Sequence, residues 1–165
     1  MIQKKICMMG SFAVGKTSLV RRYVENMFSD KYLTTIGVKI DKKVITIQKE
    51  TMTLIIWDIA GENGYHQVHS SYLRGMSGYL LVADKTRTST LDNLLDVQER
   101  VKVAFPEVPH ILLMNKIDLT GQWDIDESAI NKLKRDGYDV MMTSAKTGQN
   151  VEEAFNRLAT KMLGK

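Results

Sequence analysis

One cysteine, two prolines and an aromatic content of 7% deprive this 165-residue chain of several specialised identities. A lone Cys7 cannot form an internal disulfide, and its apolar neighbours suit a small core residue in a reducing compartment. No apolar run approaches the roughly 20 residues that a membrane-spanning helix requires. Residues 2–9 mix lysines with apolar residues and offer no signal-peptide core. Repeats and Pro/Gly/Ser-rich linkers are missing, and no aromatic stripe interleaves the basic residues, so no nucleic-acid partner is expected. The net charge of +4 is modest, with its excess early in the chain, from Lys4 to Lys43. The expectation is a cytoplasmic, monomeric protein with one domain over residues 1–165, long enough for a sizeable core.

What is present is an alternation of apolar segments. Residues 2–9 read as a buried strand, and 16–27 carry helical spacing at Leu19, Val20, Tyr23 and Val24. A polar stretch at 28–35 reads as a loop. Residues 38–48 alternate, which suits a strand with one wet face. A turn expected at Glu50-Thr51 leads into Leu54-Ile55-Ile56-Trp57, forming a hairpin. Residues 62–75 are polar and loosely helical. Residues 79–83 and 111–114 are continuous apolar runs of the kind that buried parallel strands carry. Further helices are expected over 91–105, 126–135 and 151–163, with a last strand at 139–142. The sum is an α/β protein, a mostly parallel six-stranded sheet with helices on both faces. Its ligand belongs at the carboxyl ends of the strands.

Every motif with chemical content falls at such an end. Gly10-Ser11-Phe12-Ala13-Val14-Gly15-Lys16-Thr17 fits G-x-x-x-x-G-K-[ST], a phosphate-binding loop between a strand and a helix. Its backbone N–H groups would cradle phosphates, Lys16 would reach the β- and γ-phosphates, and the Thr17 hydroxyl would bind Mg²⁺. Asp58 ends a strand, where a carboxylate either holds Mg²⁺ opposite that loop or caps a turn. Gly61 lacks a Cβ, so its N–H could approach a γ-phosphate. In Asn115-Lys116-Ile117-Asp118 the Asp118 carboxylate can accept from the ring N–H and the exocyclic amine of guanine, a pattern adenine reverses. Lys116 would lie over the base plane. Ser144-Ala145-Lys146 could offer a backbone N–H to the guanine carbonyl, and Phe28 either stacks on the base edge or anchors its loop.

With these residues in view, the chain resembles a Ras-superfamily small GTPase, most of all the Rab family, over essentially its whole length. Thr34-Thr35-Ile36-Gly37-Val38 is similar to the first switch segment, and Trp57-Asp58-Ile59-Ala60-Gly61 to the start of the second. Ser70-Ser71-Tyr72-Leu73-Arg74-Gly75, Thr143-Ser144-Ala145-Lys146 and Asn150-Val151-Glu152-Glu153-Ala154-Phe155 extend the match. The resemblance implies the P-loop NTPase fold, a GDP/GTP switch that hydrolyses GTP, and Mg²⁺ at Thr17, Thr35 and Asp58. Nucleotide contacts would come from Ala13 to Ser18, named as Ala13, Val14, Gly15, Lys16, Thr17 and Ser18. Phe28, Thr35, Gly61, Asn115, Lys116, Asp118, Leu119, Ser144, Ala145 and Lys146 would complete them. Lys16, Thr35, Gly61 and Glu62 would carry catalysis. Effectors, an exchange factor and an activating protein would bind through the switch loops, and a membrane-traffic role is implied.

The sequence departs from the family at four places. Phe12 is bulky where a small residue is usual, and it would crowd the γ-phosphate or an incoming arginine finger. Glu62 replaces the water-orienting Gln, and Asn63 follows where Glu is usual; His66 and Gln67 are poor substitutes by position. The chain stops at Leu163-Gly164-Lys165 without the prenylatable cysteines of the family, which leaves a removed tail or lipid-free recruitment as readings, peripheral to membranes in either case. Two functions stay open on this basis. One is slow GTP hydrolysis; the other is a GTP-holding module with negligible turnover. A P-loop kinase would need a lid and an acceptor site that nothing in the sequence supplies.

Overall fold

The computed structural model describes residues 2–29, 35, 37–61 and 70–164. Six strands form one sheet in the order β2-β3-β1-β4-β5-β6: β1 Ile2–Met9, β2 Val38–Ile47, β3 Glu50–Ile59, β4 Gly78–Asp84, β5 His110–Asn115 and β6 Val140–Met142. The β2–β3 hairpin is antiparallel, and every other pair is parallel. Sequence and structure agree on the class: α/β, with a mostly parallel six-stranded sheet and helices on both faces.

Period-two alternation sends each strand's side chains to two separate cores. Ile6, Met8, Leu54, Ile56, Leu80 and Val82 meet helices α1 (Lys16–Glu25) and α5 (Val151–Met162) on one face. Tyr23 and Phe155 stack there at 4.0 Å between centroids, almost parallel. Cys7, Met9, Tyr79, Leu81, Leu112 and Met114 meet α3 (Thr88–Ala104) and α4 (Glu127–Arg135) on the other. The four-residue α2 (Ser70–Leu73) closes part of that side. With both faces covered, β4 is buried along its whole length, which is why it reads as an unbroken apolar run. No helix among the described residues is long and apolar enough to cross a membrane.

Several boundaries differ from the sequence expectation. The hairpin turns at Gln48-Lys49 rather than at Glu50-Thr51. Both turn residues have positive φ, 51° and 71°, and Ile47 pairs with Glu50. A two-residue hairpin loop needs that backbone, and here it is taken without the usual Gly, Asn or Asp that would have marked it. Helix α1 ends at Glu25, two residues early, because Asn26 turns left-handed and its N–H closes on Arg22 O. Helix α3 starts at Thr88 rather than Leu91. Its first turn is polar and is held by the Thr90 hydroxyl, which accepts from the Asp84 N–H at 2.9 Å.

Candidate functional site

The carboxyl ends of β1, β3 and β5 converge on a cavity of about 300 Å³. Met9 ends β1, and residues 10–15 turn back over the sheet before α1 begins at Lys16. Gly15 precedes the helix with φ 102°, a left-handed conformation. A Cβ there would also lie 2.4 Å from Asn115 Nδ2, so the loop packs directly on the end of β5. Gly61 comes equally close to the loop: its Cβ would fall 2.5 Å from the Ser11 carbonyl carbon and 2.6 Å from Lys16 Nζ.

Lys16 is buried and donates to Gly10 O at 2.9 Å and Ser11 O at 3.2 Å. Burial pushes its ammonium down to about 8, against the attraction of Asp58. Asp58 is itself fully buried. Burial raises its pKa, while the Thr17 hydroxyl, Lys16 and the Thr35 hydroxyl pull the other way. The Thr17 and Thr35 hydroxyls lie 2.6 Å apart, and both donate to Asp58 Oδ2, at 2.5 and 3.3 Å. Among the described residues, Asp58 Oδ1 is buried and has no hydrogen-bond partner. Two hydroxyls and a carboxylate with a spare oxygen are a hard donor set, which suits Mg²⁺.

A second group of polar contacts ties the end of β5 to the loop. Asn115 donates to Val14 O at 3.0 Å and accepts from the Thr143 hydroxyl at 3.1 Å. Lys116 Nζ donates to Ala13 O at 2.8 Å and pairs with Asp84 at 3.1 Å. Asp84 also takes Arg87 Nε at 3.0 Å, and the same guanidinium donates to Phe12 O at 3.0 Å. Burial works to raise the Asp84 pKa, but the Thr86 hydrogen bonds and Lys116 outweigh it and hold the carboxyl below its ordinary range. Asp118 accepts from the Ser144 hydroxyl at 2.8 Å, which aligns the carboxylate with the 144–146 loop.

Of the residues singled out from the sequence, Ala13, Gly15, Lys16, Thr17, Ser18, Phe28, Thr35 and Gly61 line the cavity. Asn115, Lys116, Asp118, Leu119, Ala145 and Lys146 line it too. Val14 and Ser144 do not: both are fully buried, the Val14 carbonyl accepts from Asn115, and the Ser144 hydroxyl donates to Asp118. Phe28 lines the cavity and also packs on the core. Phe12 is 41% exposed and lines the cavity as well. Glu62, Asn63, His66, Gln67, Thr34 and Ile36 lie outside the described residues.

Asp84 and Arg87 were not anticipated. A carboxylate closing a fully apolar strand was the available signal for Asp84; Arg87 has none, because its partner Phe12 is 75 residues away.

Residues 5–164 match the Ras family. Ras-related protein Rab-13 of Mesocricetus auratus is 34% identical over 161 residues, covering 96% of this chain and 79% of that protein. Ras-related protein Rab-4 of Dictyostelium discoideum is 37% identical over 153 residues, 92% of this chain and 75% of its own. Human Ras-related protein Rab-8B is 32% identical over 163 residues, 98% of this chain and 79% of its own.

Proposed function

The chain belongs to the Ras family, and from that premise we propose that it is a guanine-nucleotide switch that binds GDP and GTP with Mg²⁺ and hydrolyses GTP slowly. The observation that carries the reading is one cavity lined both by the phosphate loop and by Asn115, Asp118 and Ala145. A nucleoside triphosphate has that polarity: anionic at one end, a hydrogen-bonding base at the other.

In this reading the loop amides and Lys16 bind the phosphates, and Lys16 leaves the Gly10 and Ser11 carbonyls to do so. An anion beside Lys16 favours its charged form and opposes the effect of burial. Thr17, Thr35 and Asp58 would hold Mg²⁺, whose charge would offset that of the bound phosphates. Hydrolysis breaks the bond from the γ-phosphorus to the β–γ bridging oxygen while a water oxygen bonds to that phosphorus. Charge grows on the bridging oxygen, where Lys16 and the amides of residues 13–17 stabilise it. Thr35 joins the metal site from the segment before β2, so its seating depends on the phosphate present, as a switch requires. Asp118 reads the ring N–H and the amine of guanine, held in register by Ser144.

Effectors and regulators are expected at the surface beside this segment. Ile40 is half exposed there, opposite Trp57 on the neighbouring strand; Lys5 lies 3.6 Å over the indole, and Tyr72 packs at 6.4 Å. An exposed apolar patch next to a switching segment suits a partner in membrane traffic. A second reading, a GTP-holding module with negligible turnover, is favoured by Phe12 in the cavity and Glu62 in the sequence. Nucleotide released from the purified protein, together with single-turnover phosphate release, separates the two. Bound guanine nucleotide with measurable phosphate release supports the switch; no release supports the holding module; bound adenine nucleotide defeats both.

A further inference from the structure

Helix α1 carries a guanidinium that reaches across to the far end of the chain. Arg22 Nε donates to Ala145 O at 2.8 Å, and its Nη2 donates to Lys146 O at 2.5 Å. Nη1 reaches Asn26 Oδ1 at 3.3 Å. All three acceptors are neutral, so this contact is not a surface ion pair; the neighbouring Arg21 makes that kind, with Glu25. A planar fork on two successive carbonyls fixes direction as well as distance, which a single ammonium cannot do.

The consequence for the loop follows from peptide geometry. In a trans peptide the C=O and N–H point in opposite directions. With Ala145 O turned toward Arg22, the Lys146 N–H of the same peptide turns away from α1. Ala145 and Lys146 both line the cavity. The loop is otherwise closed largely on itself: Gly148 N–H donates to Ser144 O at 2.8 Å, Thr147 N–H to Ser144 Oγ at 3.1 Å, and Ser144 N–H to Gln149 O at 3.1 Å. Arg22 ties this closed unit to the helix that begins at Lys16 and Thr17.

We propose that Arg22 is a positioning residue for base selection, holding the main chain of residues 145–146 so that its N–H groups meet the 6-carbonyl of guanine. It sets selectivity for that carbonyl separately from Asp118, which reads the ring N–H and the amine. This inference rests on the guanine reading of the site.

Two analogues separate the contacts. 6-Thioguanosine diphosphate keeps the ring N–H and the amine but replaces the carbonyl oxygen with a weak acceptor, and inosine diphosphate keeps the carbonyl but lacks the amine. The measurement is equilibrium binding of GDP, both analogues and ADP to the full chain as wild type, Arg22→Ala and Arg22→Lys. Far-UV circular dichroism checks that each variant is folded. In Arg22→Ala the preference for GDP over the thio analogue should shrink by about tenfold, while the preference over inosine diphosphate stays. Arg22→Lys, which keeps the charge but not the fork, should lose part of the carbonyl preference; if the alanine variant does not fold, this variant decides. An unchanged thio preference overturns the proposal, as does an equal fall in both preferences, which marks general loosening. So does a wild type indifferent to the thio analogue. A wild type that binds ADP as well as GDP defeats the guanine reading instead.

Discussion

The Thr17 hydroxyl lies 2.6 Å from the hydroxyl of Thr35, although 18 residues separate them. Asp58 Oδ2 accepts from both, so α1, the segment before β2 and the end of β3 meet at one point. Such a cluster gathers oxygens on a hard cation, and octahedral Mg²⁺ tolerates little distortion of it. Thr17→Asn should therefore weaken binding of Mg·GTP by about tenfold or more, and binding of GDP much less. Thr35→Ala should act chiefly on the triphosphate state. Nucleotide dissociation timed with and without a chelator checks this; dissociation indifferent to chelation contradicts the metal site.

Asp118 has its Oδ1 engaged by Ser144 and its carboxylate on the cavity. An amide in its place can donate where the carboxylate only accepts. Asp118→Asn should lose GDP affinity and gain xanthosine diphosphate affinity, read by competition titration. A loss toward both bases would mean that the side chain supports the loop without reading the base.

The parts of this site visible in the sequence are those carried by short contiguous motifs, whatever the distance along the chain to their partners. The phosphate loop is contiguous, and its two glycines are explained by close approaches, Gly10 to Val82 O and Gly15 to Asn115. The strands β4 and β5 were legible because burial on both faces leaves no polar residue to interrupt them. The Gln48-Lys49 turn was not, since neither residue advertises a positive φ. Arg22 and Arg87 were hidden for another reason. Their long-range acceptors are main-chain carbonyls at Ala145, Lys146 and Phe12, and a carbonyl carries no sequence signal.

His110 stacks on Tyr79 at 4.8 Å, and Gln98 reaches both the Tyr79 hydroxyl and His110 Nε2, at 2.8 and 3.3 Å. Burial, with Lys161 and Lys102 nearby, pushes its imidazole below the ordinary histidine range. The unfolded chain then binds a proton at higher pH than the folded one, so stability is lost as pH falls below about 6.5. His110→Phe keeps the stack and removes the titration. Urea midpoints from about pH 7 to about pH 5 should fall more steeply in wild type than in this variant. Parallel slopes would show that His110 titrates alike in both states.

Glu62, where a Gln amide would both accept from water and donate toward phosphate, can only accept when ionised. Two like charges about 4 Å apart repel by roughly 4 kcal/mol at an effective dielectric of 20, enough to keep the carboxylate from the γ-phosphate. Intrinsic hydrolysis should be slow, and Glu62→Gln should speed it in single-turnover assays. Phe12→Gly should increase stimulation by an arginine finger supplied in trans. A rate that rises with pH through one ionisation, and is lost in both Glu62→Gln and Glu62→Ala, would make Glu62 a general base instead.

Selection of guanine by Asp118 and the 145–146 main chain is the proposed property on which the other roles of this cavity depend. Displacement of a fluorescent GDP by GTP and by ATP, each with Mg²⁺, tests it most directly. A site built to hydrogen-bond one base edge leaves buried groups unpaired with the other, so ATP should compete roughly 10⁴-fold more weakly than GTP. Displacement by ATP at concentrations similar to GTP would contradict the account.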